Sequence, residues 1–177
     1  MIKGTLRVVE GDATEPQTTA PNEIVIIPHV CNNGVNGSGI GVMGAGIAKT
    51  IRSKWPKVYT EYKKMEDRDS EGLKNRLGEN NYVKIDNHLV IVNMIAQDGT
   101  VSETNPKPVK YKALADCMTG IVGYIKMIKK QTSNPIVIHT CKFGVGLAKG
   151  DWNFILELIR EIWIEQEIDV VIYEFKK

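Results

Sequence analysis

The chain of 177 residues has the length of one domain and enough residues to bury a full core. Its hydrophobic fraction of 42% and charged fraction of 25% are those of ordinary globular proteins. A net charge of +2, from 23 basic and 21 acidic side chains, gives no electrostatic case for nucleic acid or a membrane surface, and no apolar run approaches the ~20 residues of a spanning helix.

Leu6–Glu10 reads as a first strand, ended by Gly11-Asp12-Ala13-Thr14. Residues 15–22 are polar, carry Pro16 and Pro21, and read as a loop. Residues 23–30 contain Ile24-Val25-Ile26-Ile27, the mark of a central strand buried on both faces. Residues 31–46 hold six glycines: Gly34, Gly37, Gly39, Gly41, Gly44 and Gly46. A helix is expected from near residue 45 to about 55, with Ile47, Ala48 and Ile51 on its inner face. Pro56 then opens a second helix to about residue 68, a favoured place for proline. Residues 82–85 and 88–95 predict a hairpin around Asp86-Asn87.

Residues 96–109 form a polar, proline-bearing loop. Residues 111–130 have helical periodicity, with Leu114, Met118, Ile121, Val122 and Ile125 on one side. Ile136-Val137-Ile138 is another buried strand, residues 142–150 a second glycine-bearing loop, and residues 151 to about 165 an amphipathic helix that Asp151 is suited to cap. Residues 170–175 form the last strand. Alternating strands and helices imply an α/β fold whose mostly parallel sheet is covered on both faces, with ligands at the carboxyl ends of its strands.

Both glycine loops follow a buried strand and precede a helix, so both belong at that end. The first runs through His29-Val30-Cys31-Asn32-Asn33 and the glycine run to Gly44-Ala45-Gly46-Ile47. The second is Phe143-Gly144-Val145-Gly146-Leu147-Ala148-Lys149-Gly150-Asp151-Trp152. Glycine allows close approach of main chain to ligand and positive φ. Successive N–H groups then form an anion-binding hollow, to which a helix N-terminus adds its dipole. Two such loops can grip a diphosphate without arginine or metal.

Other phosphate motifs fit less well. Gly39-Ile40-Gly41-Val42-Met43-Gly44 spells G-x-G-x-x-G, but some eight residues separate it from its strand and a second helix stands where a dinucleotide fold needs its next strand. Lys49-Thr50 lacks the preceding glycine of a P-loop. Cys31, Cys117 and Cys141 are odd in number and widely spaced, giving no disulfide framework and no metal knuckle. They suit a reducing cytosol, and residues 1–5 lack the apolar core of a signal peptide. No His, Cys or Asp cluster has metal-ligand spacing, so no metal or cofactor is expected.

Gly11-Asp12, His29-x-Cys31-Asn32 and Gly44-Ala45-Gly46-Ile47-Ala48, taken in order, resemble the macrodomain family. Asn93-Met94-Ile95-Ala96-Gln97, Lys107-Pro108-x-x-Tyr111 and Gly144-x-Gly146-Leu147-Ala148-x-Gly150-Asp151-Trp152 extend the resemblance over nearly the whole chain. It is nearest to the branch of yeast-type ADP-ribose 1″-phosphate phosphatases and their bacterial and phage relatives. The resemblance implies one three-layer α/β/α macrodomain over residues 1–177, with a mixed, mostly parallel sheet of about six strands. It implies ADP-ribose or ADP-ribose 1″-phosphate as partner; a monomer in the cytoplasm (the host cell's, for a phage protein) is expected.

By the same resemblance, Asp12 and the adjoining Ala13 meet adenine, with Phe175 or Tyr173 packing on the base. Asn32 or Asn33 meets the distal ribose. Cys31 and Gly44-Ala45-Gly46-Ile47 flank the phosphates and that ribose, while Phe143-Gly144-Val145-Gly146-Leu147 wraps the diphosphate. The implied reaction is hydrolysis of ADP-ribose 1″-phosphate, with Asn32 beside the reacting ribose. His29 is either the proton-transfer group or a buried strand-end histidine. Asp151 orients water or caps its helix. His88 and His139 read as structural.

A neighbouring branch removes ADP-ribose from proteins with a lysine and a loop aspartate. Ala96-Gln97 and Ala148 stand at those places here, against a covalent lysine route. Two alternatives to the phosphatase therefore stand: a reader of ADP-ribose without chemistry, and a hydrolase freeing ADP-ribose from protein or nucleic acid by water. Residues 35–42 look inserted in the first loop.

Overall fold

The apolar runs of residues 24–27 and 136–138 lie side by side in the middle of the sheet. The computed structural model describes residues 2–34, 43–65 and 76–176. The inserted stretch 35–42 and the expected helix end near residue 68 lie outside the described residues. In chain order the elements are β1 (Leu6–Glu10), β2 (Ile24–Asn32), α1 (Gly46–Lys54), α2 (Pro56–Lys64), β3 (Asn80–Lys84), β4 (Leu89–Gln97), α3 (Tyr111–Lys129), β5 (Ile136–Cys141), α4 (Trp152–Ile162) and β6 (Asp169–Glu174), with a 3-10 turn at Ile164–Gln166.

The six strands lie in the order β1-β6-β5-β2-β4-β3. All pairs are parallel except β3 with β4. The alternation of side chains along each strand divides the core between two faces. Ile24, Ile26, Val92, Met94, Ile138 and Ile172 point toward α3 and α4, where they meet Leu114, Met118, Ile121, Ile155 and Trp163. Val25, Ile27, Ile91 and Ile95 point the other way, onto Ile51 of α1 and Val58 and Tyr62 of α2. The expected inner face of α3 is buried at all five positions. On α1 only Ile51 is fully buried, because Ile47 and Ala48 stand at the open end of the sheet.

Two strands run further than their apolar runs. β5 continues through His139 and Thr140, which are buried but satisfied: Thr140 Oγ1 donates to the Pro28 carbonyl at 2.8 Å, and His139 bonds Glu23 and Tyr173. β4 continues to Gln97, so the loop after it starts later than its polarity suggests. Lys110 N–H donates to the Ala96 carbonyl at 2.9 Å and Val109 N–H to the Ala148 carbonyl at 3.1 Å, tying the end of that loop to the second glycine loop. β6 stops at Glu174, leaving Phe175 beyond the strand.

Asp151 caps α4 as expected, its Oδ1 accepting from Phe154 N–H at 3.1 Å. Asp151→Ala should therefore cost about 1 kcal/mol of stability. Urea denaturation should show a lower midpoint at unchanged slope; an unmoved midpoint would remove the cap from the account.

Candidate functional site

β2 sends its chain outward toward β4 and β3, and β5 sends its chain the other way to β6. Such a reversal opens a crevice beyond the strand ends, where the loops part. Two adjoining cavities, of about 410 Å³ and 700 Å³, occupy this end and share Gly46, Ile47, Cys141 and Lys142. Together they form one cleft.

The smaller cavity lies between the two glycine loops. On one wall stand Cys31 and Asn32 at the end of β2, then Gly44, Ala45, Gly46 and Ile47; on the other, Phe143, Gly144, Val145, Gly146 and Leu147. The pairing of β2 with β4 shifts register between Cys31 and Asn32, so that Asn32 pairs with Gln97 and Ala96 is skipped. Asn32 Oδ1 then accepts from Gly34 N–H at 2.8 Å, and its carbonyl accepts from the Tyr62 hydroxyl.

α1 begins with its N-terminus on this cavity. The first-turn N–H groups of a helix have no intrahelical partner. Here the N-cap, Ala45, offers no side-chain acceptor and no acidic residue occupies the first turn. Gly46 has φ 56°, a conformation that costs a residue with a side chain about 1–2 kcal/mol.

The second loop folds back on itself. Gly150 N–H donates to the Gly144 carbonyl at 2.8 Å, and a Cβ at position 150 would lie 2.4 Å from that oxygen. Phe143 anchors the loop in the core against Trp152 and Trp163, with ring centroids 6.3 and 5.8 Å away. A Cβ at Gly146, by contrast, would meet no atom of the described residues within 4 Å.

The larger cavity lies beyond the ends of β1 and β6, lined by Asp12, Ala13, Thr50, Tyr173, Glu174 and Phe175 among others. Asp12 Oδ1 accepts from Thr14 N–H at 2.8 Å and Thr14 Oγ1 at 2.9 Å. Tyr173 is buried, and its hydroxyl accepts from Gln17 N–H at 2.7 Å. The same oxygen lies 2.8 Å from His139 Nδ1, whose Nε2 lies 2.7 Å from Glu23 Oε1. These bonds tie the residue 12–17 loop to the sheet. Phe175 is 76% exposed at the rim.

The chain is similar to a structure from Bacteroides thetaiotaomicron described as a protein of unknown function: TM-score 0.76, 26% identity, 96% of this chain and 98% of that one. A macrodomain protein from Streptomyces coelicolor matches at TM-score 0.71 and 24% identity over 97% of this chain and all of that one, 100%. The macrodomain of Thermus aquaticus DarG matches at TM-score 0.68 and 20% identity, covering 97% of this chain and 99% of that one. The chain has the macrodomain fold. No protein-family model and no curated protein sequence matches it.

Within this macrodomain cleft the structure gathers Asp12, Ala13, Cys31, Asn32, residues 44–47, residues 143–147 and Phe175. It leaves out two residues. Asn33 is 2% exposed and turned away: its Nδ2 donates to Asp98 Oδ1 at 2.8 Å and its Oδ1 accepts from Gly99 N–H at 2.9 Å, so it braces the loop after β4. Asn32, not Asn33, faces the cleft.

His29 requires a correction. Its side chain is fully buried on the α2 side of β2, lines neither cavity, and lies 2.6 Å from Asn93 Oδ1. Burial lowers its pKa to about 4, against a smaller opposing effect of the Asn93 bond. A proton-transfer role at a ligand does not fit this placement: His29 shares its strand face with Cys31, which lines the smaller cavity, but lies buried one repeat beneath it, with Nδ1 3.7 Å from Cys31 Sγ. Asp151 also lines neither cavity and is used as a cap.

Sequence reasoning missed Cys141, Lys142, Thr50, Tyr62, Gln97 and Glu174. Cys141 and Lys142 sit at the end of a buried strand, a position that could have singled them out. Tyr62 carries no local signal, since it reaches Asn32 from α2.

The smaller cavity is poor in acid–base groups. Among the described residues, no histidine or carboxylate lines it, and residues 35–42, Val-Asn-Gly-Ser-Gly-Ile-Gly-Val, contain neither. Burial pushes the Cys141 thiol up to about 11 and raises that of Cys31 further, so neither is a ready thiolate. Among the described residues no group of three metal-ligating side chains converges, and no helix is long and apolar enough to cross a membrane.

Proposed function

We propose that this cleft binds ADP-ribose or a close derivative, as a recognition site. The observation that carries the reading is the pair of glycine loops facing each other across the smaller cavity, with the uncapped start of α1 between them. Main-chain N–H groups at a helix start suit a diphosphate. The larger cavity takes the adenosine, with Asp12 at the base's polar edge and Tyr173 and Phe175 as its apolar surroundings. Asn32 stands at the other end, beside the distal ribose. The poverty of acid–base groups there favours recognition over hydrolysis.

Hydrolysis of ADP-ribose 1″-phosphate is the second reading. The same cradle of fixed dipoles suits a leaving phosphate, and the smaller cavity is lined by Asn32, Gln97 and Thr100, which can hold the ribose and its water. It must proceed without His29 and without a side-chain carboxylate from the described lining.

Calorimetry with ADP-ribose should show saturable one-to-one binding. Incubation with ADP-ribose 1″-phosphate, without added metal, should release no phosphate if recognition is the function; metal-free release lost in a cleft variant would make hydrolysis the function. Release of ADP-ribose from modified protein or nucleic acid would point to the third activity. Absence of ADP-ribose binding would sink all three.

A further inference from the structure

Nothing so far assigns a side-chain charge to the diphosphate, yet one is in place. Lys142 follows β5 and lines both cavities, at the junction between them. Among the described residues it is the one cationic residue lining either cavity, and residues 35–42 bring no lysine or arginine. Its Nζ is held 2.6 Å from Glu174 Oε1, at the end of β6, with both side chains nearly half exposed. The same Nζ lies 5.8 Å from the centroid of the Trp152 ring. The carboxylates lining the cleft are Asp12 and Glu174, both on the larger cavity. Among the described lining residues, the one cation is thus held by a neighbouring acid.

We propose that Lys142 is the specificity-determining contact for the diphosphate and that Glu174 competes for it. The inference rests on the ADP-ribose reading and deepens it. An ion pair this exposed is weak, because water screens both partners and holding two long side chains costs entropy. A diphosphate carries more charge than one carboxylate and makes stronger charge-assisted hydrogen bonds. Lys142 therefore exchanges partners when the ligand enters, while Glu174 opposes entry by repulsion and by the competing bond. The arrangement disfavours uncharged nucleosides, which cannot take the lysine from its acid, and so makes the phosphate bridge a condition of tight binding.

The two partners must act with opposite sign, which a purely structural ion pair would not do. Lys142→Gln should weaken ADP-ribose binding about tenfold, the size of one lost charge-assisted bond. Lys142→Arg should restore most of it. Glu174→Gln should tighten binding about threefold by releasing the lysine, and that gain should shrink when Lys142→Gln is also present. The affinity of the unmodified protein should fall more steeply with salt than that of Lys142→Gln. With adenosine in place of ADP-ribose, both effects should collapse toward unity. Thermal unfolding of each variant checks that the surface substitutions leave the fold intact.

Unchanged ADP-ribose affinity in Lys142→Gln would overturn the proposal. So would weaker binding in Glu174→Gln, which would make Glu174 a direct ligand contact. These results presuppose binding by the unmodified protein, so they are distinct from its failure to bind, which ends the ADP-ribose reading itself.

Discussion

Gly46→Val should reduce ADP-ribose affinity a hundredfold or more while leaving the protein folded. Two effects combine at this position. The residue has φ 56°, a region in which a β-branched residue is a genuine outlier. The backbone must therefore rotate, and the rotation redirects the first N–H groups of α1. A Cβ at Gly46 would also meet no atom of the described residues within 4 Å, and Gly46 lines both cavities, so a side chain there is expected to intrude on the space they share. Loss of a cradle of N–H contacts together with steric intrusion amounts to about 3 kcal/mol, which is a hundredfold in affinity. The fold should survive because Gly46 is exposed and belongs to no buried cluster.

Gly123→Ala supplies the control. It replaces a glycine at an exposed position of α3 with no atom of the described residues within 4 Å of the new carbon, and it should bind ADP-ribose like the unmodified protein. Calorimetry of the two variants decides the matter. A Gly46→Val protein that still binds tightly would mean that the ligand does not pass the start of α1.

The same glycine shows why much of the cleft could be read from the sequence. Glycine between a buried strand and an apolar-periodic helix has a local cause, a tight approach of main chain, and local causes leave local signals. The strands at residues 24–27 and 136–138 were legible for the same reason, as runs too apolar for a surface. His139 was legible as a structural residue of the second of these strands, but the partners that make it and Thr140 tolerable there, Glu23, Tyr173 and Pro28, are distant in sequence and leave no local signal. Asn32 and Asn33 are adjacent and chemically identical. What separates them is the register shift after Cys31 and the bonds of Asn33 to residues 98 and 99, which no local pattern contains. The ion pair of Lys142 with Glu174 likewise joins the ends of two strands that the fold alone makes neighbours.

His29 is the most instructive of these long-range cases, and it carries a prediction about stability. His29, Asn93 and Asn81 are register partners across β2, β4 and β3, forming a buried polar row. Asn93 Nδ2 donates to Asn81 Oδ1 at 2.9 Å, so the amide oxygen of Asn93 is left to accept from His29, and the imidazole carries its hydrogen on Nε2. The neutral ring satisfies the row. A protonated ring would place an uncompensated charge in the core, and burial accordingly lowers the pKa to about 4 from 6.5.

The linkage then has a definite sign. Below pH 6.5 the unfolded chain takes up a proton at this histidine while the folded protein does not, down to about pH 4. The stabilisation is therefore complete above pH 6.5 and is lost as pH falls through that window, by about 3 kcal/mol in all at ~1.4 kcal/mol per unit. His139, whose pKa is also lowered by burial against the opposing influence of Glu23, adds in the same direction. Denaturation in urea at a series of pH values should show the decline, and His29→Gln should flatten it while His139 retains its share. An NMR titration should find the His29 ring neutral, with its proton on Nε2, at pH 5. A ring that titrates near 6.5, or an unchanged decline in His29→Gln, would refute the assignment. The consequence reaches the chemistry: any hydrolysis in this cleft should show no limb near pH 6.5 that disappears with His29, because this imidazole lines neither cavity and its pKa is lowered to about 4.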